Sequence, residues 1–119
     1  MTPSKKYTFH KIASSPAELR FPENNLLEIK AGDKTICVSN NKGTLQACAA
    51  KCPHAGGRLA DGYIDPLGNI VCPLHRYKFS LQNGRNVSGE GYCLKTFPVE
   101  IREDGVFAGI EDKNSLFGW

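Results

Sequence analysis

Hydrophobic and polar residues alternate along short segments of this chain, and turn-forming residues separate the segments. Alternation with a period of two is the pattern of a strand that buries one face. In the first half, the alternating segments are residues 7–12, 26–29, 34–38 and 44–49. Turns at 31–33 and 40–43 join the last three of them, which predicts an antiparallel meander. Residues 14–19, with Pro near the start, predict one brief helical turn.

The second half continues in the same way. Residues 70–71, 77–81, 96–101 and 106–110 are predicted strands, and the turns fall at 65–69, 82–84 and 102–105. Pro98 lies inside the third of these segments, which predicts that it occupies a sheet edge or a strand start. The chain is therefore predicted to be all-β with antiparallel strands, and it shows no repeats or linkers.

Two short motifs interrupt the strand pattern and carry candidate chemistry. Cys52-Pro53-His54 follows the meander, and Cys72-Pro73-Leu74-His75 follows the strand at 70–71. Thiolate and imidazole are soft or borderline metal ligands, so these four side chains predict a metal site built from two loops.

The identity of the metal depends on how the ligands are distributed. Structural zinc sites of the Cys2His2 type pair Cys with Cys and then His with His along the chain. Here each loop supplies one Cys and one His, which suits a two-iron cluster in which the Cys pair holds one iron and the His pair the other. Zinc stays open as the alternative at this point.

Composition narrows the class of protein. A chain of 119 residues with 40% hydrophobic residues predicts a single globular domain, residues 1–119. A net charge of +3 without basic runs argues against nucleic-acid binding. Residues 1–6 are polar, and no stretch reaches the roughly 18 apolar residues of a membrane helix, so we expect no membrane association and a cytoplasmic protein.

The chain has five cysteines. With Cys52 and Cys72 assigned as ligands, Cys37, Cys48 and Cys93 remain, and an odd number does not form a disulfide framework. We expect them to be free, buried thiols in a reducing compartment.

Together, the two ligand motifs resemble the signature of Rieske iron-sulfur proteins. The resemblance covers residues 7–110 and is strongest over 47–79. It implies an antiparallel strand base, sandwich-like or barrel-like, with a small inserted cluster-binding subdomain at about residues 50–80 made of the two ligand loops. It also implies that Cys52, His54, Cys72 and His75 hold a Rieske-type [2Fe-2S] cluster.

Within this family the chain is similar to the soluble, low-potential ferredoxins that serve oxygenases. That similarity implies a monomeric one-electron carrier and not an enzyme. Its donor would be a flavin-containing reductase, and its acceptor a protein such as a Rieske-type oxygenase. Two alternatives stay open, which are a small iron-sulfur subunit of a nitrite-reductase-like complex and a zinc-stabilised interaction module.

Departures from the respiratory branch of the family carry a further prediction. That branch has an extra Cys in each ligand loop, and the matching residues here are Gly57 and Leu74, so no disulfide can join the loops. Its Ser and Tyr donors to the cluster sulfurs are replaced by Tyr77 and Phe79. We therefore expect a reduction potential at the low end of the Rieske span, around −150 mV.

Charges near the ligand motifs predict the kind of partner. Lys51, Arg58, Arg76 and Lys78 flank the two loops, and Asp61 and Asp65 are the only acids between Cys52 and His75. The tip is predicted to be mildly positive and to attract an acidic protein. The apolar residues Leu116, Phe117 and Trp119 near the C-terminus are expected to plug the open end of the strand base, and a contact patch for a partner stays open as the alternative.

Overall fold

The computed structural model describes residues 7–53, 56–88 and 92–111. Within these ranges nearly all regular structure is β, which confirms the predicted fold class. The strands are β1 (Tyr7–Ala13), β2 (Leu26–Ala31), β3 (Lys34–Asn41), β4 (Thr44–Ala49), β5 (Tyr63–Ile64), β6 (Asn69–Val71), β7 (Lys78–Ser80), β8 (Thr96–Phe97), β9 (Val99–Arg102) and β10 (Gly105–Glu111). Short 3₁₀ turns occupy Pro16–Glu18, as predicted, and Leu59–Asp61.

The strands form three antiparallel sheets. β1, β10 and β9 form the first sheet in that order, and β2, β3, β4 and β8 form the second. The second contains the predicted meander, in which Cys37 of β3 lies directly opposite Cys48 of β4. A shared apolar core that includes Val38, Phe97 and Ala108 joins the two sheets into the strand base.

The prediction of one strand over residues 96–101 is wrong. β8 ends at Phe97 and pairs with β4, whereas β9 begins at Val99 and pairs with β10. Pro98 lies between them and has no backbone N–H to donate, so it interrupts one ladder and lets the chain cross to the other sheet. Its carbonyl oxygen accepts a hydrogen bond of 2.8 Å from the Gly109 N–H.

The third sheet carries the second ligand motif. β5, β6 and β7 form it, and β5 was not predicted, because two residues are too few to show a period. Ile70 of β6 and Phe79 of β7 are fully buried and pack in one core with Cys52 and Cys72. This core ties the ligand loops to the meander, because Cys37 and Cys48 belong to it too.

Gly84 closes the turn predicted at 82–84, and it offers a test of the fold. Its φ is +76°, and a Cβ added there would lie 1.8 Å from the Leu94 carbonyl oxygen. The backbone of Leu94 can shift only at a large energetic cost. We therefore expect Gly84→Ala to lower the free energy of unfolding by at least about 3 kcal/mol, because the alanine would add both left-handed backbone strain and overpacking. Chemical denaturation followed by circular dichroism measures this change.

The matched control is Gly43→Ala. Gly43 also has a positive φ, +91°, but nothing lies within 4 Å of an added Cβ. We expect this variant to lose only about 1 kcal/mol, from backbone strain alone. Equal losses for the two variants would show that the contact with Leu94 does not constrain the turn.

No helix in the part of the chain that the structure describes is long and apolar enough to cross a membrane. The predicted packing of Leu116, Phe117 and Trp119 falls outside the described residues.

Candidate metal centre

The first ligand loop leaves the end of β4 and is closed by its own backbone. An antiparallel bridge joins Lys51 and Arg58 at its base. The Cys52 N–H donates to the Gly57 carbonyl oxygen at 2.8 Å, and the Gly56 N–H donates to the Cys52 carbonyl oxygen at 2.9 Å. These bonds hold Cys52 with only 3% of its surface exposed. His54, the other predicted ligand of this loop, lies outside the described residues.

The second ligand loop is the tip of the β6–β7 hairpin. The Cys72 N–H donates to the Tyr77 carbonyl oxygen at 2.9 Å, which closes the loop directly at the end of β6. Cys72 is completely buried, whereas Leu74, His75 and Arg76 are exposed. The hairpin therefore points its thiol inward and its histidine toward the surface.

The two loops bring the predicted cysteine ligands together. The thiols of Cys52 and Cys72 are close enough to share a hydrogen bond. Burial raises the pKa of the Cys72 thiol, and the Cys52 thiol raises it further, although a hydrogen bond from the Leu74 N–H to the Cys72 sulfur opposes both. A metal must displace the protons, so binding is coupled to their release, and the Leu74 N–H remains in place to stabilise the resulting thiolate.

Gly57 explains how the loops can approach so closely. A Cβ at this position would lie 3.0 Å from the Cys72 Sγ and 3.1 Å from side-chain carbons of Leu74. A side chain would therefore separate the loops or turn the thiol away. Paired buried thiols, a backbone donor to sulfur and a small residue between the loops together fit a sulfur-ligated iron cluster.

Of the four predicted ligands, the structure brings two together, which are the cysteines. Within the ranges that the structure describes, no three His, Cys, Asp or Glu side chains converge on one point. Cys52 and Cys72 meet, and His75 lies on the exposed tip with its ring 6.2 Å from the ring of Tyr77. The structure thus brings the thiol pair together and leaves His75 apart from it.

Phe79 and Tyr77, which stand where the respiratory branch has hydrogen-bond donors to the cluster, differ in burial. Phe79 is fully buried in the core that holds both thiols, and Tyr77 is partly buried against that core. The ring of Phe79 has no polar atom and cannot donate a hydrogen bond to sulfur.

The sequence did not indicate one buried polar group beside Phe79. Asn86 faces Phe79 across an isolated bridge, so the two side chains share a face. Its Oδ1 accepts hydrogen bonds from Ser88, but its Nδ2 is buried and has no hydrogen-bond partner among the described residues. No local pattern indicates this burial, because it depends on the bridge.

The cysteines that are not predicted ligands are free, as expected. Cys37 and Cys48 are buried, and the hydrogen bond with Cys37, together with burial, raises the pKa of the Cys48 thiol well above its ordinary value. A protonated buried thiol is a poor nucleophile, so both behave as small core residues. The expectation of burial is wrong for Cys93, which is exposed where it bridges to Arg85 outside the regular strands.

The predicted positive charge of the tip is only partly correct. The Arg58 guanidinium contacts Glu28 at 3.1 Å and Asp61 at 2.6 Å, so two acids offset its charge. Burial raises the pKa of the Asp65 carboxyl, but hydrogen bonds from Asn69 and Leu67, with a smaller contribution from the charge of Lys78, outweigh it and lower that pKa. Glu28 belongs to a distant strand, so the sequence around the motif did not reveal it.

Comparison with known proteins identifies the family. The family model of the Rieske [2Fe-2S] domain matches residues 11–98. The ferredoxin component of the alkene monooxygenase system of Xanthobacter autotrophicus is 26% identical over 80 residues, 67% of this chain and 66% of that protein. The nitrite reductase [NAD(P)H] of Emericella nidulans is 37% identical over 109 residues, which cover 82% of this chain but only 10% of that enzyme.

A solved structure supports the same fold. A chain in the complex of reduced oxygenase and oxidised ferredoxin of carbazole 1,9a-dioxygenase superposes with a TM-score of 0.72 at 22% identity, covering 88% of this chain and 95% of that one. Since the family model spans most of the sequence and the ligand motifs lie inside the match, this chain belongs to the Rieske [2Fe-2S] domain family.

Proposed function

We propose that this protein is a one-electron carrier that holds a Rieske-type [2Fe-2S] cluster and passes electrons from a flavin-containing reductase to an oxygenase. The observation that carries the proposal is the pairing of the buried Cys52 and Cys72 thiols by two separately closed loops. When bound, the cluster supplies a centre that accepts and releases one electron.

We assign the ligands by what each residue can do. Cys52 and Cys72 would hold one iron, because their sulfurs adjoin inside the core. His54 and His75 would hold the other iron, and the exposed position of His75 would place that iron nearest the surface. The Leu74 N–H stabilises the thiolate of Cys72, and Gly57 keeps the loops in contact.

The proposed roles of the partners rest on the relatives. The relative from Xanthobacter is a ferredoxin component of a monooxygenase system, and the superposed complex pairs a ferredoxin with an oxygenase. We extend that role to this chain as a monomeric carrier of one domain, with its cluster-binding subdomain at about residues 50–80. Its cytoplasmic location stays a prediction, and the cysteine usage agrees with it.

A second candidate function has its own support. The identity of 37% to the nitrite reductase of Emericella nidulans exceeds the identity of 26% to the alkene monooxygenase ferredoxin. The same electron-transfer site would then serve as the iron-sulfur module of a nitrite-reducing complex. In both candidates the residues of this chain hold and shield the cluster, and only the acceptor differs.

The test begins with anaerobic purification. We expect about two iron and two acid-labile sulfide per chain, and a paramagnetic signal that appears on chemical reduction. Transfer is then measured with a flavin-containing reductase and either a Rieske oxygenase or a nitrite reductase lacking its own Rieske module. Stoichiometric zinc without sulfide would refute the carrier function, and the faster acceptor decides between the candidates.

A further inference from the structure

The tip of the second ligand loop has an unusual backbone. His75 and Arg76 are adjacent, and both have a positive φ, +62° and +56°. Apart from glycine, asparagine and aspartate, residues rarely adopt this conformation, because the Cβ of an L-residue crowds the backbone. Two such residues in succession form the centre of a turn that normally selects Asn-Gly or Gly-Gly. The loop therefore stores backbone strain at the cluster end of the molecule.

The strained backbone of His75 is explained by its role as a proposed ligand, which fixes the position of its ring. Arg76 is not a ligand, and glycine would satisfy its conformation at lower cost. Its side chain is exposed, and no acid among the described residues forms an ion pair with it. By contrast, Arg58 is held by Glu28 and Asp61, and Arg102 contacts Glu100 at 2.7 Å.

Residues with strained backbone conformations cluster at active sites and other functional positions. We propose that Arg76 directs the protein toward an acidic redox partner by presenting an exposed guanidinium, unpaired among the described residues, next to His75. This inference rests on the proposed function and names the partner surface, which is an acidic patch on the acceptor. Leu74, 47% exposed on the same tip, supplies an apolar contact beside the charge.

Small oxidants of opposite charge test this without a known partner. Reduced protein donates one electron to ferricyanide, giving ferrocyanide, or to hexaamminecobalt(III), giving the cobalt(II) complex. We compare the second-order rate constants by anaerobic stopped flow. For Arg76→Gly at low ionic strength, we expect the ratio of the ferricyanide to the cobalt rate constant to fall about tenfold, and the change to shrink strongly near 0.5 M salt. Both oxidants react with the same reduced cluster. A change in the cluster's reduction potential therefore alters both rate constants in the same direction and largely cancels in their ratio.

Two variants separate charge from strain. Arg76→Lys keeps the charge and should keep the ratio within about twofold. Lys42 is an exposed cation with a φ of +53° in the β3–β4 turn, at the opposite end of β4 from the first ligand loop. We expect Lys42→Gly and Arg76→Gly each to raise the thermal midpoint by about 4 °C, and only Arg76→Gly to change the ratio.

The outcomes distinguish this inference from the proposed function. Measurements use only protein with full iron and sulfide content, so a missing cluster would count against the proposed function alone. With the cluster intact, an unchanged ratio in Arg76→Gly would overturn the role of Arg76. An equal change in Lys42→Gly would overturn it too, since any surface cation would then act in the same way. A midpoint that does not rise in Arg76→Gly would refute the stored strain.

Discussion

Replacing Cys72 with alanine is expected to reduce bound iron and acid-labile sulfide to below about a tenth of the wild-type content. Cys72 is fully buried beside Cys52, and among the described residues no other metal-binding side chain lies close enough to take its place. Removing the Cys72 thiolate would leave one iron with too few ligands. Water cannot take the place of the thiolate, because the position is buried in the core. The same result is expected for alanine at Cys52, His54 or His75. Colorimetric iron and sulfide assays measure it.

The matched control is Cys48→Ala. Cys48 is as buried as Cys72, packs in the same core and is hydrogen-bonded to another cysteine, Cys37. We expect it to lose about 1 kcal/mol of stability and to keep its full complement of iron and sulfide. Full occupancy in any ligand variant would remove that residue from the ligand set, and loss of iron in Cys48→Ala would show that the assay reports core damage.

The double variant Tyr77→Ser with Phe79→Tyr is expected to raise the reduction potential by about 100 mV from a wild-type value near −150 mV. It restores the hydrogen-bond donors at the positions where the respiratory branch has Ser and Tyr. Each donor stabilises the more negative, reduced form by about 1 kcal/mol. Since about 1.4 kcal/mol corresponds to 59 mV for one electron, two donors of about 1 kcal/mol each give about 85 mV, on the order of the predicted shift.

Burial makes this experiment informative. Phe79 is fully buried in the core of the two thiols, so a hydroxyl there has few alternative partners other than sulfur or the unpartnered Nδ2 of Asn86. Voltammetric titration is run on the wild type, both single variants and the double variant. Tyr77→Ala is the control that removes the ring of Tyr77 without adding a hydroxyl, and it should not raise the potential. A wild-type potential well above zero, or a double variant without a rise, would show that hydrogen bonds at these positions do not set the potential.

Local chemistry made much of this protein predictable. The meander over β2, β3 and β4 followed from period-two alternation and from turns with Gly, Asn and Asp. The metal-site prediction followed from the types and spacing of four residues, because ligand preference belongs to each side chain. The family match over residues 11–98 confirms the identification that these motifs supported.

Other features depended on contacts between distant parts of the chain. Pro98 splits the strand predicted over residues 96–101 because β4 and β10 belong to different sheets, and a local pattern contains no information about neighbouring strands. Arg58 loses its predicted role at the tip because folding places Glu28, thirty residues away, against it.

The candidate site shows the same division. The sequence by itself determined which side chains could bind iron and that two loops would carry them. Only the tertiary structure decided that Cys52 and Cys72 share one core, that Gly57 must be small beside the Cys72 sulfur, and that Arg76 adopts a positive φ. Ligand chemistry is a property of single residues, whereas proximity, burial and strain arise only when separate segments pack, because each then depends on atoms that are remote in sequence.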